Sequence, residues 1–420
     1  MAVFDFLRRK ASAVSNVMFL GNGAVEWSPR TDGSFAKEGY VQNVIANASI
    51  KKVAKAVASV EWEVWQGDTL LTESPFLDLI NNPSPTVSKS EFMEALISYG
   101  LIYGNSYIEQ SDIDGVPKEL FTLRADRMTV KKGITGIPSA YIYRVNSNKF
   151  EWDVDPVTGE SDVWHIKSFN PVDDWYGLAP TESGAYAIDQ HNESMKWIQA
   201  LLQNSARPSG AVVVKSKDGQ NNTLSDDGYN RLKTQIEEQY SGASNAGRPM
   251  LLDGGLEWQA MGLSPSDMSI LETKAAAARD IALAYGVPPQ MLGIPGDNTY
   301  ANYKEARCAF WEDTVIPLVD NTKDELNAWL GPKFNNTELR PSMDKIPAIV
   351  DKRMDLWGMA DKSEDLTINE RRALKGYDKL PDGDKLQERV VRQQDKPADD
   401  VKALSPTMKA AFAYGSDYGK

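Results

Sequence analysis

Cysteine and histidine are scarce in this 420-residue chain, which holds one cysteine, Cys308, and two histidines, His165 and His191. A single thiol cannot build a disulfide framework or a thiolate metal site, so we expect synthesis in a reducing cytosol and no bound metal. Acid–base catalysis would need one of the two histidines. His165 alternates with its neighbours in a predicted strand, which is typical of a structural histidine, and His191 falls within a predicted helix as a packed or solvent-facing residue.

Long apolar runs and the motifs of common enzyme classes are missing as well. No run of 18 apolar residues exists, so no membrane span is expected. The chain lacks the glycine-rich phosphate loop, the HExxH zinc motif, a CxxC pair, the dinucleotide fingerprint and the GxSxG nucleophile elbow. The adjacent Asp173 and Asp174 lie in a predicted loop, where carboxylates more often hydrogen-bond loop backbone than hydrolyse a substrate. The sequence therefore predicts a protein that is not an enzyme and needs no cofactor.

Positive charge is in deficit, since 46 Lys and Arg residues face 59 Asp and Glu residues, for a formal net charge of −13. Tight phosphate binding would require a basic stripe on the surface. The acidity is compatible with solubility alone. It is equally compatible with a surface past which DNA slides without sticking, because like charges repel.

Hydrophobic periodicity predicts an α+β fold. Apolar spacing indicates an amphipathic helix over Tyr40–Val60, and alternation around a Gly67-Asp68 turn indicates a hairpin over Glu61–Leu71. A strand-rich region follows. Its predicted strands are Tyr107–Glu109, Leu120–Leu123, Met128–Lys131, Ala140–Arg144, Lys149–Asp153 and Val163–Lys167.

One acidic segment, Asp153–Glu160, faintly resembles a calcium-binding loop. Val157 and Thr158 stand where such a loop needs a ligand and a glycine. We therefore interpret the segment as a hairpin turn.

Two long predicted helices, residues 184–207 and 264–287, enclose a small insert, residues 208–263, with a strand–helix–strand–strand pattern. This plan indicates a protrusion on a two-helix stalk rather than a substrate pocket. After a Gly/Pro loop, another helix is predicted over Tyr300–Leu330. Pro317 removes a backbone donor within it, so we expect a kink near Asp313–Pro317.

Six short segments carry a family resemblance. They are Leu79-Ile-Asn-Asn-Pro-Ser-Pro85, Gly104-Asn-Ser-Tyr-Ile-Glu109, His165-Ile-Lys-Ser-Phe-Asn170 with Trp175-Tyr-Gly-Leu-Ala-Pro180, Asn204-Ser-Ala-Arg-Pro-Ser-Gly210, Tyr285-Gly-Val-Pro-Pro289 and Thr367-Ile-Asn-Glu-Arg371. Each is weak alone, but their order across residues 79–371 resembles the shorter portal proteins of tailed bacteriophages and related gene-transfer particles. Ser84 and Ala179 depart from the family, which usually has Asn and Ser there.

The resemblance implies a portal architecture with an α/β wing, a two-helix stem, a small α/β clip, a long kinked wing helix and a helical crown. It implies the following boundaries: wing with N-terminal arm 1–183, stem helices 184–207 and 264–287, clip 208–263, tunnel loop 288–300, long kinked helix and wing closure 301–354, and crown with C-terminal tail 355–420.

The same resemblance implies a homo-oligomeric ring, usually of twelve subunits, at one capsid vertex, through which double-stranded DNA enters and leaves without sequence-specific contacts. Expected partners are the terminase large subunit, the head–tail adaptor and the major capsid protein. The protein would be made in the bacterial cytoplasm and reside in the virion.

Two groups of residues follow as candidate sites. The tunnel loop would bring Met291, Leu292, Ile294, Pro295, Gly296, Asp297 and Asn298 towards DNA. The loop from Ile294 to Thr299 offers no Lys or Arg, so steric or apolar contact through Met291, Leu292 and Ile294 is expected there rather than phosphate binding. The clip would dock terminase and adaptor through Lys215, Lys217, Asp218, Asp226, Arg231 and Glu237.

Two alternatives stay open from the sequence. One is another ring-forming connector or adaptor of the virion, although adaptors are usually much smaller and lack the stalk–insert–stalk plan. The other is a soluble hydrolase with an unrecognised carboxylate site, which metal-dependent turnover by the purified protein would support.

Overall fold

Helices and small antiparallel sheets alternate along the chain in the computed structural model, which confirms the predicted α+β class. The structure describes residues 32–134, 136–203, 210–214, 226–240, 256–260, 269–295, 300–342, 346–363 and 365–385. Contacts divide the chain into a first unit that ends at Ile349 and a second unit that begins at Val350.

The described part of the first unit begins with a helical segment that differs from its prediction. A short helix α1 (Asp32–Ser34) runs into a π-helical segment (Phe35–Val41), and α2 (Val44–Ala58) then starts afresh. The predicted helix over Tyr40–Val60 is therefore wrong in its first turn. Asn43 is extended and caps α2, because its side-chain oxygen accepts from Ile45 N and Ala46 N at 3.1 and 3.0 Å.

The hairpin follows its prediction, and two helices come after it. β1 (Trp62–Gln66) pairs with β2 (Thr69–Leu71), and a distant strand, β11 (Glu338–Pro341), joins the other edge of β1. Helix α3 (Pro75–Asn81) is capped by Ser74, and α4 (Lys89–Tyr103) by Ser88. Gly104 ends α4 in the left-handed region at φ 72°, where glycine carries no Cβ penalty.

Two three-stranded sheets make up the strand-rich region, and all of their pairings are antiparallel. One has the order β4–β3–β8 and the other β5–β6–β7. The strands are β3 (Asn105–Ile113), β4 (Val116–Leu123), β5 (Met128–Lys131), β6 (Ala140–Val145), β7 (Asn148–Asp153) and β8 (Val163–Lys167).

The segment between β7 and β8 is a turn, but it is not the predicted hairpin. Asp155 accepts from Val157 N at 2.7 Å and Thr158 N at 2.8 Å, and Gly159 N bonds back to Asp155 O. The flanking strands belong to different sheets. The turn residues set only the local bend of the chain. The sheet that each flanking strand joins is decided by the pattern of buried and exposed side chains along that strand.

The core of the first unit is formed by α2, α4 and the helix that ends at Leu330, together with the sheets. Phe76 stacks on Phe334 with ring centroids 5.0 Å apart, and Trp164 stacks on Trp329 at 5.9 Å. Burying an aromatic or aliphatic side chain of this size contributes about 1.5–3 kcal/mol. These contacts join residues far apart in the chain into one body.

The structure describes six elements of the predicted stalk and its insert. They are α5 (Pro180–Ser183), α6 (Ala185–Gln203), β9 (Gly210–Val214), α7 (Asp226–Tyr240), β10 (Leu256–Ala260) and α8 (Ile270–Ala284). α6 packs along α8, and β9 pairs antiparallel with β10. The other strand predicted for the insert, and the expected helix residues 204–207 and 264–268, lie outside the described residues.

The helix predicted over Tyr300–Leu330 is present with an irregular middle. α9 (Tyr300–Ala309) passes through a π-helical turn (Phe310–Val315) into α10 (Ile316–Leu330). Ile316 N donates to Trp311 O, five residues back. The wide turn lies directly before Pro317, whose missing N–H was the reason to expect an irregularity there.

The second unit holds α11 (Pro347–Lys362), most of which lies beyond the unit boundary, and α12 (Ile368–Leu374). Thr367 and Glu370 form a capping box, since Glu370 N donates to Thr367 Oγ1 and Thr367 N donates to Glu370 Oε2. Trp357 Nε1 donates to Leu374 O and ties the two helices together.

Candidate functional site

Two of the sequence motifs meet at the end of α4, where backbone touches backbone. Gly104 O accepts from Ser168 N at 2.9 Å. A Cβ on Gly177 would lie 2.1 Å from Gly104 O, and one on Gly104 would lie 2.4 Å from Gly177 O. Only glycine fits at either position, which explains why both motifs carry one.

Asn105 and His165 lock this junction with side chains. Asn105 Oδ1 accepts from Gly177 N at 2.8 Å and lies 2.9 Å from His165 Nε2, while its Nδ2 donates to Tyr103 O at 2.7 Å. Since the amide nitrogen faces Tyr103, the oxygen faces the histidine, and His165 must donate from Nε2.

The imidazole of His165 is held neutral. It stacks on Tyr107 with centroids 4.3 Å apart. Burial, and secondarily the charge of Lys167, lowers the pKa of His165 to about 3. A neutral, hydrogen-bonded imidazole is the structural histidine that the sequence predicted.

The segment 168–178, which we call the Phe169 loop, is stiffened by its own side chains. Asn170 Oδ1 accepts from Val172 N at 2.9 Å, and Asn170 Nδ2 donates to Tyr176 O at 2.9 Å. Asp173 Oδ1 accepts from Trp175 N at 2.7 Å and from Tyr176 N at 3.3 Å. This confirms the interpretation of Asp173 as a loop hydrogen-bond acceptor.

The two stalk helices share a root beside this loop. Tyr285, at the end of α8, is buried, and its hydroxyl lies 2.8 Å from Thr181 Oγ1 in α5. Thr181 in turn donates to Leu101 O at 2.9 Å, so the tyrosine must be the donor to Thr181. Burial raises the pKa of Tyr285 to about 12, which keeps that hydroxyl protonated.

A buried polar cluster fastens α6 to the start of α2. Asn43 Nδ2 lies 2.9 Å from Asn192 Oδ1 and 3.2 Å from His191 Nδ1. Asn192 Nδ2 donates to Glu38 O at 3.1 Å. Burial, and then the charge of Lys274, lowers the pKa of His191, so its ring nitrogen stays available as an acceptor. His191 is thus packed, one of the two positions that the sequence allowed.

Helix α8 ends in a C-terminal cap in which the residue after the helix has a left-handed backbone conformation. Gly286 has φ 65°, its N–H bonds to Leu283 O, and Val287 N bonds to Ala282 O, the pattern of a Schellman motif. Thr314, in the π-helical turn, donates to Gly286 O at 2.7 Å. The π turn therefore holds the start of the following loop in place.

The predicted tunnel loop is described up to Pro295, and its side chains lie differently from the expectation. Ile294 is 5% exposed and packs against Ala278 and Ala282 of α8. Met291 and Leu292 are half-buried against the core. Within one chain, Ile294 is thus an anchor of the loop. Gly296, Asp297 and Asn298 lie outside the described residues.

A positive charge accompanies this loop, and sequence reasoning missed it. The guanidinium of Arg279, in α8, donates to Pro295 O. The loop itself has no Lys or Arg between Ile294 and Thr299, but the neighbouring helix supplies one. The only signal for this in the sequence was that Arg279 precedes the C-cap residue Tyr285 by six residues, which places it about 9 Å from the cap at 1.5 Å per residue.

The insert gives partial information on the predicted docking residues. Arg231 and Asp227 form an exposed i,i+4 pair at 3.3 Å on α7, an arrangement that stabilises a helix weakly. Asp226 and Glu237 belong to α7. Lys215, Lys217 and Asp218 lie outside the described residues.

Within the described ranges, no three or more His, Cys, Asp or Glu side chains are grouped so that they could hold a metal ion. In that same part of the chain, every helix is too short or too polar to cross a membrane.

Comparison with known proteins gives a consistent answer over most of the chain. The model of a family described as phage portal protein matches residues 45–376. A protein of Rickettsia bellii is 40% identical over 352 residues, which are 83% of this chain and 90% of that protein.

Solved structures agree. A chain in the neck of an empty gene transfer agent particle, determined with C6 symmetry, is 43% identical with a TM-score of 0.67, covering 86% of this chain and 98% of that one. A chain in the neck of the native particle, determined with C12 symmetry, is 43% identical with a TM-score of 0.64, covering 85% and 97%.

Proposed function

The chain belongs to the phage portal protein family, and on that basis we propose that twelve copies form a ring at a unique vertex of a phage or gene-transfer-agent particle. The ring is the conduit through which double-stranded DNA enters during packaging and leaves during ejection. The observation that carries the proposal is the pair of stalk helices that share one root, combined with 43% identity to chains in C6- and C12-symmetric necks.

The stalk supports this function through its construction. Its root is tied by the Tyr285–Thr181 hydrogen bond and by the Asn43–His191–Asn192 cluster. Hydrogen-bonded buried polar groups fix one arrangement more strictly than apolar contacts do. A ring whose subunits must hold identical positions around DNA benefits from such a fixed stalk.

The loop 288–300 is proposed to approach the DNA. Ile294 fastens the loop to α8, and Arg279 places a guanidinium beside Pro295. Against a chain of net charge −13, this one guanidinium would guide phosphates without holding them tightly.

Docking is assigned to the insert, the proposed clip, with Arg231, Asp226, Glu237 and the residues Lys215, Lys217 and Asp218 as contacts for the terminase large subunit and later the head–tail adaptor. The major capsid protein would surround the wing. ATP hydrolysis is left to the motor, since this sequence has no phosphate-binding loop, and the portal itself performs no catalysis. It would be made in the host cytoplasm and reside in the virion.

Electron microscopy of the purified full chain tests the ring directly. Rotationally symmetric particles with a central hole, and a native mass of twelve chains, are the expected result. A persistent monomer would contradict the proposal. A ring that binds only to the tail side of filled particles would favour the alternative, a connector of the adaptor type.

The loop is tested by in vitro packaging with Arg279→Gln rings. We expect complete rings but altered packaging or DNA retention, because the phosphate-facing charge is removed. Lys132→Gln, which removes one exposed positive charge elsewhere, is the matched control and should package normally. Equal behaviour of both variants would remove Arg279 from the DNA path.

A further inference from the structure

The Phe169 loop presents apolar side chains to solvent on a stiff frame. Phe169 is 86% exposed and Val172 is 92% exposed. Side chains of this kind are common singly on protein surfaces, but these two lie three residues apart on one short loop, and we call the pair the apolar knob. We propose that this knob is the contact by which one subunit binds the next copy of the same chain, an inference that rests on the proposed ring.

The frame beneath the knob is built for binding rather than for motion. Asn170 and Asp173 satisfy the loop's own backbone N–H groups. Tyr176 OH accepts from Val130 N at 2.9 Å, and Lys167 Nζ donates to Asp174 O. A loop fixed in this way loses little conformational entropy when a partner covers it, which favours affinity.

The base of the loop transmits that rigidity to the sheet. Gly177 N bonds to Asn105, and Ser168 N bonds to Gly104 O. Both ends of the loop are thus held by the same two residues between α4 and β3. The knob therefore keeps a fixed position relative to the wing in every subunit.

The charged residues near the knob bear on which kind of partner can bind it. Asp173 and Asp174 follow directly after Val172 and outnumber the cation Lys167, whose Nζ donates to Asp174 O, so a phosphate backbone or an anionic membrane would meet net negative charge from these three residues. The loop also runs directly into α5 and the root of the stalk. A ring of identical chains needs a heterologous contact that repeats around its axis, and a knob received by a different surface of the neighbour is such a contact.

The test compares two charge insertions at equally exposed apolar sites. The double variant Phe169→Asp/Val172→Asp should remain folded, since neither side chain is packed, but should need at least tenfold higher concentration for half-assembly in mass photometry. Val157→Asp, at a residue 85% exposed in the turn between β7 and β8, is the control and should assemble like the wild type. Circular dichroism and thermal melting verify the fold of each.

A second measurement does not depend on the variant's stability. Phe169→p-benzoylphenylalanine, irradiated in assembled rings, should give covalent multiples of the chain, whereas the same probe at Val157 should not. Unchanged assembly of the double variant with no crosslink would overturn the inference while leaving the ring intact. Normal rings that fail to join other virion proteins would also overturn it, because the occupant would then be a different chain. A wild type that never forms rings would instead contradict the proposed function.

Discussion

Two loops of the first unit are fixed in different ways. The Phe169 loop leaves Phe169 and Val172 exposed. It packs Trp175 and Tyr176 against the core, and its backbone N–H groups donate to the side chains of Asn105, Asn170 and Asp173. The segment after α8 keeps Ile294 inside and is held by apolar packing and a helix cap. The first arrangement leaves apolar surface free for a protein partner. The second leaves backbone and Arg279 at the surface, which suits a polar ligand such as DNA.

The comparison teaches that exposure of apolar residues in this chain is selective. The loop proposed to meet DNA buries Ile294, while the loop proposed to meet protein exposes Phe169. Each prediction below weakens one of the two kinds of support, starting with the largest effect.

Gly177→Ala should be the most damaging change, since its Cβ would lie 2.1 Å from Gly104 O and backbone cannot move aside cheaply. We expect a loss of about 3 kcal/mol in the free energy of unfolding, typical of overpacking. Gly115→Ala is the control: it has φ 77° and nothing within 4 Å of the added Cβ. That variant should lose only the strain of about 1–2 kcal/mol. If urea titrations gave equal losses of unfolding free energy for both variants, the backbone around Gly177 would have shifted to make room for the added Cβ.

Ile294→Ala tests the apolar support of the other loop. Truncating a buried isoleucine costs about 2–5 kcal/mol, and we expect the lower end because the site lies at the edge of the core. The amide of Ile294, which bonds to Pro289 O, should exchange with solvent at least tenfold faster. Ile134→Ala, at a fully exposed residue, should be neutral. An unchanged exchange rate at Ile294 would mean that the helix cap alone fixes the loop.

Much of this architecture could be predicted from the sequence, because it depends on local patterns. The bounds of β5 and β8 were predicted to the residue, since alternation and turn residues act over a few positions. The capping box at Thr367 likewise depends on residues only three positions apart. Contacts between residues a few positions apart leave a pattern that can be recognised in the sequence.

Each miss depends at least in part on a partner outside its own segment. The break at Asn43 is set by its cap and by hydrogen bonds to α6, about 150 residues away. The separation of β7 from β8 depends on which sheet each strand joins. The close approach of Gly104 to Gly177 and the contact of Arg279 with Pro295 depend on packing. No pattern within a single segment encodes these meetings.

Acid should loosen the base of the Phe169 loop. His165 has a pKa near 6.5 when unfolded and about 3 when folded, so below pH 6.5 the unfolded chain binds a proton that the folded chain refuses. Stability that is complete above pH 6.5 is therefore lost as pH falls towards 3, at about 1.4 kcal/mol per pH unit, or roughly 2 kcal/mol at pH 5. The difference between wild type and His165→Gln in urea titrations at pH 7 and pH 5 isolates this contribution. Parallel pH dependence in both would exclude His165 as its source.

The smallest effect should separate two neighbouring carboxylates. Asp173 accepts hydrogen bonds from two backbone N–H groups through its side chain, whereas Asp174 contributes its carbonyl, which Lys167 binds. Asp173→Ala should therefore cost about 1 kcal/mol, because water can partly replace the lost acceptor, and should speed amide exchange at Trp175 and Tyr176. Asp174→Ala keeps its carbonyl and should change neither quantity. Asp173→Asn retains an acceptor oxygen and should restore slow exchange. If ring assembly weakens in Asp173→Ala and recovers in Asp173→Asn, then the stiffness of the loop, and not its charge, is what presents Phe169 to the neighbouring subunit.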